Sequence, residues 1–239
     1  MRSLNFSVAL IGADGAGKTT VGLELERSGP IRIKYLYMGS NPEAASHSLP
    51  TTRLLRALQR RLGSDADRHG PPDPSRAKPR PKGALRRALA SCKAGLGLCQ
   101  RLSEEWYRQA VAASYRWRGF VVLYDRHFYS DYYAHDIAQS GALPLARRIH
   151  GWVLERLYPR PDLTILLDAP AAVLFARKGE GTLELLEQRR REYLELALRE
   201  SPFAVVDASQ PRAAVVEQVI EILREFQSQA GPLRRAHAG

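Results

Sequence analysis

Phe6-Ser-Val-Ala-Leu-Ile11 runs directly into Gly12-Ala-Asp-Gly-Ala-Gly-Lys-Thr-Thr20, and the second stretch fills every fixed place of the phosphate-cradling pattern G-x-x-x-x-G-K-[ST]. Each place has a physical reason. Gly12, Gly15 and Gly17 let the backbone wrap a polyphosphate with consecutive N–H groups turned inward, where side chains would obstruct. Lys18 is placed to reach the β- and γ-phosphates, and Thr19 offers a hydroxyl to Mg²⁺. Residues 19–27 have helical spacing, with Leu23 and Leu25 among polar neighbours. The phosphates therefore also meet a helix N-terminus, where the dipole favours anions. Strand, glycine loop and helix follow in the required order, so the stretch implies a bound nucleoside triphosphate and the opening of an α/β fold.

Working outward, apolar or β-branched runs at residues 6–11, 31–38, 120–124, 163–167 and 203–206 alternate with longer amphipathic stretches. That alternation predicts five parallel strands with helices on both faces. Residues 211–227 read as the last helix, with Ser209 as its N-cap and Val215, Val219, Ile222, Leu223 and Phe226 on one apolar face. Residues 234–239 read as a frayed polar tail. At 239 residues with 44% hydrophobic content, the chain fits one domain spanning residues 1–239. Inserted helices and a mobile loop occupy about residues 40–118. Within that insertion, residues 69–83 carry too many prolines and charges to pack, between helices expected near residues 51–62 and 85–117.

The chain has 30 Arg and 6 Lys against 25 acids, a net charge of +11. Arginine's planar fork grips phosphate bidentately, so the excess suits anionic substrates or nucleic acid, although solvated helix faces account for it equally well. Cys92 and Cys99, seven apart in one expected helix, lie about 10 Å apart along its axis. They cannot pair, and they read as buried thiols of a reducing compartment. No apolar run approaches a membrane span and the N-terminal run is too short for a signal peptide, so a cytoplasmic protein is expected.

A second informative stretch is Val121-Val-Leu-Tyr-Asp-Arg-His127, a buried strand ending in an acid and a base. In an open parallel sheet ligands bind beyond the carboxyl ends of the strands, which places Asp125 and Arg126 beside the glycine loop. Asp125 is then a candidate to hold Mg²⁺ together with Thr19, and Arg126 to grip a phosphoryl group. A further cation is expected from Phe175-Ala-Arg-Lys-Gly-Glu-Gly181, a lid whose candidates are Arg177 and Lys178. Arg189, Arg190 and Arg191 are second choices.

GADGAGKTT at 12–20, Arg118-Gly119 followed by VVLYDRH at 121–127 with Ser130, PDLTILLDAP at 161–170, and the Arg191-Glu-Tyr-Leu-Glu-Leu run resemble, in this order, the thymidylate kinase family. The resemblance implies a P-loop NTPase fold of the nucleoside monophosphate kinase kind, using ATP and Mg²⁺ to phosphorylate dTMP to dTDP. Lys18, Asp125, Arg126, Arg177 and Lys178 would be catalytic, and Asp14 would reach the acceptor sugar. A small-molecule acceptor is then the expected partner, with no specific nucleic acid and no membrane, and a homodimer is an open alternative.

Three departures touch the acceptor half. Tyr37-Met-Gly-Ser-Asn-Pro42 stands where the family has Arg-Glu-Pro, Leu102-Ser-Glu-Glu-Trp106 where it has an Asp-Arg pair, and Tyr132-Tyr-Ala-His135 where it has Ala-Tyr-Gln. With this rewritten half, the chain resembles divergent relatives associated with bacterial surface-polysaccharide clusters, whose acceptor would be a sugar or sugar phosphate. Tyr115, Trp117, Phe128, Tyr129, Tyr132 and Tyr133 are available to stack a base or sugar, and Arg101 or Arg108 to replace the missing phosphate-gripping arginine. A nucleotide-dependent regulator and a nucleic-acid binder are the other classes; the first lacks a guanine-reading Asn-Lys-x-Asp element, the second any recognisable module.

Overall fold

The structure is a computed structural model and describes residues 5–38, 49, 84–127, 145–179, 181–197 and 202–236. In chain order the elements are β1 (Ser7–Ile11), α1 (Lys18–Ser28), β2 (Ile33–Tyr37), α2 (Ala84–Trp117), β3 (Val121–Asp125) and α3 (Leu145–Arg156), followed by β4 (Leu163–Asp168), α4 (Ala171–Lys178), α5 (Leu183–Ala197), β5 (Phe203–Asp207) and α6 (Arg212–Ala236). The five strands form one parallel sheet in the order β2-β3-β1-β4-β5. This is the expected fold class, an α/β sheet of the P-loop kinase type.

β1 is buried along its whole length because both of its faces are covered. Val8 and Leu10 pack with Val21 and Leu25 of α1, Leu174 of α4 and Val215, Val219 and Leu223 of α6. Ala9 and Ile11, on the opposite face, pack with Tyr193 and Leu196 of α5. On that second face Val122 and Tyr124 of β3 bury Ala112 of α2 and Leu154 of α3. β1 pairs with β3 on one side and β4 on the other. The strand order thus reverses at β1, and the crevice outside its carboxyl end is the place where such sheets bind ligands.

Several expectations need correction. Cys92 and Cys99 are both exposed, because α2 packs against α3 and β3 while the turns around residues 95–100 face solvent. Ser209 does not cap α6: its hydroxyl and N–H both donate to Asp207 Oδ1, at 2.6 and 2.9 Å, and the carbonyl of Pro211 accepts the N–H groups of Ala214 and Val215. Residues 234–236, expected to fray, continue α6. Arg177 and Lys178 stand on the last turn of α4, which closes on Gly179 at φ 67°, rather than within a loop. Residues 51–62 and 69–83, and Phe128, Tyr129, Tyr132 and Tyr133, lie outside the described residues.

Candidate active site

The glycine loop connects β1 to α1. Gly17 stands at φ 89° at the N-terminus of α1, so the first turn of the helix opens toward the loop. At Gly15 (φ 91°) a β-carbon would lie 2.7 Å from the carbonyl oxygen of Leu174, and no side chain fits there. Lys18 is buried, and its ammonium donates to the carbonyls of Gly12 at 2.7 Å and Ala13 at 2.9 Å. The loop thus holds the ammonium folded against its own backbone. A cleft of about 510 Å³ opens over residues 14–21 and is closed by Arg126, Arg177 and Lys178 on one side and Ala208, Gln210, Arg212 and Val215 on the other.

Asp125 ends β3 opposite Leu10 of β1 and Tyr37 of β2. Its carboxylate is 1% exposed. One oxygen, Oδ2, accepts the hydroxyl of Thr19 at 2.5 Å and that of Tyr35 at 2.6 Å. The other, Oδ1, is buried without a hydrogen-bond partner. An uncompensated buried carboxylate oxygen beside a threonine hydroxyl at the mouth of a phosphate loop is a set of hard oxygen donors, and it fits Mg²⁺, which binds through one or two protein oxygens together with substrate phosphates. Among the described residues no group of three or more His, Cys, Asp or Glu side chains is arranged for a metal, so a metal held by protein ligands alone is not what this geometry offers.

Four cations converge on Asp14. Arg126, at φ 62° just past β3, pairs with its Oδ1. Arg189 of α5 meets Oδ2 at 3.0 Å, and Lys178 of α4 lies 3.9 Å away. Burial acts to raise the Asp14 carboxyl, but the positive charges of Arg126, Lys18, Lys178 and Arg189 outweigh it and hold the group below the usual carboxylate range. Helix α5 is capped at its start, where Thr182 Oγ1 accepts the N–H of Leu185 at 3.2 Å. Arg190 forms a two-pronged pair with Asp168 at 2.7 and 2.9 Å, and Arg191 is exposed. Arg177 donates to the carbonyl of Ala208 at 2.8 Å, across the part of the cleft away from Asp14.

Sequence reasoning brought Lys18, Thr19, Asp125, Arg126 and Asp14 to one site, and the structure places all five there. Ala16 is buried under the loop and Thr20 is exposed at its rim. Arg189 ranked behind Arg177 and Lys178 in the sequence, yet it makes the closer contact with Asp14. Tyr35 was not singled out. Of the two arginines offered for the acceptor, Arg101 is exposed, whereas Arg108 is buried among Glu104, Glu105, Tyr37 and Tyr158, burial pulling its guanidinium below its ordinary value. Trp117 is 88% exposed and stacks on no ring among the described residues, and Tyr115 packs edge-on against Phe120.

Beyond Arg126, His127 is fully buried between the rings of Tyr124 and Tyr158, each 5.4 Å away. Burial drives its pKa from 6.5 to about 4; the nearby Pro159 carbonyl offsets a little of this, and neither ring nitrogen has a partner of good hydrogen-bond geometry. Between pH 6.5 and 4 the unfolded chain therefore binds a proton that the folded chain refuses. Stability is complete above pH 6.5 and is lost as the pH falls toward 4, by roughly 3 kcal/mol from this group. Urea melts of the wild type and of His127→Gln at pH 7.5 and 5 check it: the variant should show a visibly shallower loss, and an equal loss in both would exclude His127 as its source.

The fold and the loop together define an α/β protein of the P-loop kinase type. No family model matches the chain. It is 28% identical over 224 residues to a probable thymidylate kinase of Pyrobaculum calidifontis, covering 90% of this chain and 94% of that protein. It is 34% identical over 113 residues to probable thymidylate kinase 1 of Saccharolobus solfataricus, and 32% over 115 residues to a probable thymidylate kinase of Archaeoglobus fulgidus. Against each of those two the match spans 55% of the relative's length. The chain is thus similar, at modest identity, to proteins named as probable thymidylate kinases. Among the described residues no helix is long and apolar enough to cross a membrane.

Proposed function

We propose that this chain is an ATP- and Mg²⁺-dependent phosphotransferase that moves the γ-phosphoryl group to a nucleoside monophosphate, with dTMP as the first acceptor to test. The observation that carries this reading is the set of cations around Asp14: Arg126, Arg189 and Lys178 approach one small anionic group at the junction of the donor loop and the end of β3. Phosphoryl transfer spreads charge over three equatorial oxygens, and positioned cations are what lowers its barrier. In the reaction the bond between the γ-phosphorus and the β–γ bridging oxygen breaks, a bond to the acceptor oxygen forms, ADP leaves and the acceptor's proton passes to solvent. Lys18 and the loop N–H groups hold the donor phosphates. Thr19 and Asp125 would hold Mg²⁺, which would supply charge neutralisation for the donor phosphates. Arg126 and Arg189 exchange Asp14 for the transferring group, and Asp14 is then free to accept a hydrogen bond from the acceptor's sugar.

A second acceptor class is favoured by one observation. Arg108, the buried arginine nearest the end of β2, is already compensated by Glu104 and Glu105, which weakens it as a grip for a phosphate and suits a hydroxyl-rich sugar acceptor. An ADP-release assay with ATP and Mg²⁺ against nucleoside monophosphates, deoxynucleosides and sugar phosphates separates the two. Turnover of dTMP at ~1–100 s⁻¹ supports the first reading. A sugar-type acceptor preferred by more than tenfold replaces it with the second, and ATP binding without ADP release on any acceptor leaves a nucleotide-dependent regulator.

A further inference from the structure

In β2, Ile33-Lys-Tyr-Leu-Tyr37, side chains alternate between faces. Leu36 joins the cluster under α2 and α3, while Ile33 and Tyr35 join the cluster under α1. The Tyr35 ring lies directly on the backbone of α1 at Gly22, where a β-carbon would come within 2.7 Å of the ring. Only glycine at that turn admits the ring, and the ring so placed carries its hydroxyl to Asp125 Oδ2 at 2.6 Å. Thr19 donates to the same oxygen.

We propose that Tyr35 is a positioning residue for the cation site: seated on Gly22, it fixes the Asp125 carboxylate so that Oδ1 stays unengaged and the Thr19 hydroxyl keeps its oxygen lone pairs turned away from Asp125. The argument is geometric. Two donors on Oδ2 restrain rotation of a buried carboxylate, whereas Thr19 alone would leave it to pivot about a single contact. Tyr35 touches no substrate in this arrangement and acts through Asp125 and Thr19.

The inference rests on the phosphotransferase reading for its purpose, but its test does not. Mn²⁺ binding to the full chain, measured calorimetrically with a non-hydrolysable ATP analogue present, should weaken roughly tenfold in Tyr35→Phe, the loss expected for one hydrogen bond to a charged group. The Mg²⁺ concentration for half-maximal velocity should rise by a similar factor, with a smaller change in kcat at saturating Mg²⁺. Gly22→Ala keeps the hydroxyl but displaces the ring, and it should weaken Mn²⁺ in the same direction; it decides the matter if Tyr35→Phe fails to fold. Weakened Mn²⁺ binding supports the assignment even if no acceptor turns over, which would fault the functional reading alone. Wild-type Mn²⁺ affinity in the folded Tyr35→Phe protein overturns it, whatever the acceptor screen returns.

Discussion

Lys18→Ala abolishes turnover, with kcat falling by about 10³-fold or more while the melting temperature moves by only a few degrees. The size follows from the chemistry: a cation that meets charge developing on the transferring group is worth several kcal/mol in a site screened from water. The stability result follows from the structure. The ammonium bonds to the Gly12 and Ala13 carbonyls of its own loop, and the cleft admits water to replace it. Steady-state kinetics beside a thermal melt checks both halves. A Lys18→Ala protein that folds and turns over at the wild-type rate would remove the kinase reading altogether.

Arg126→Gly lowers kcat/KM by roughly 10²- to 10³-fold for every acceptor alike, and does so without unfolding the protein. Arg126 is the one non-glycine described residue at positive φ, a conformation that costs a side chain about 1 kcal/mol and glycine almost nothing. Relief of that cost offsets the half-exposed ion pair with Asp14, itself about 0.5–1 kcal/mol. Glycine thus separates the guanidinium's chemistry from the backbone it sits on, which alanine would not. If the loss differs by more than tenfold between acceptors, Arg126 reads the acceptor and not the group in transfer. The comparison needs only kcat/KM for two acceptors in the wild type and the variant.

The donor half was legible in the sequence because its constraints are local. A loop that must wrap phosphate with main-chain N–H groups leaves glycine at fixed spacings, and a buried strand that ends in Asp125 and Arg126 can deliver them to only one edge of the sheet. What was not legible depended on orientation. Arg189, Arg190 and Arg191 are consecutive, so successive side chains point about 100° apart around α5. One meets Asp14, the next Asp168, the third solvent, and composition cannot say which is which. Tyr35 was not singled out, since alternation shows its face but not where its hydroxyl ends. Its partner signal was Gly22, a glycine inside a helix, which marks a close approach. Cys92 and Cys99 misled because a helix as long as α2 outruns the elements that cover it.

The place of β1 at the centre of the sheet sets the order in which the molecule can assemble. Its partners are β3 and β4, and the contact that locks the start of β4 to it, the Ser7 N–H on Asp162, spans 155 positions of sequence. At ~5–20 residues per second a ribosome delivers that partner roughly ten to thirty seconds after β1 has been made. Until then Ser7–Ile11, a run with both faces meant for burial, lacks one of its two neighbours. Loop closure over such separations is slow, and the waiting strand is a natural client for a chaperone during synthesis.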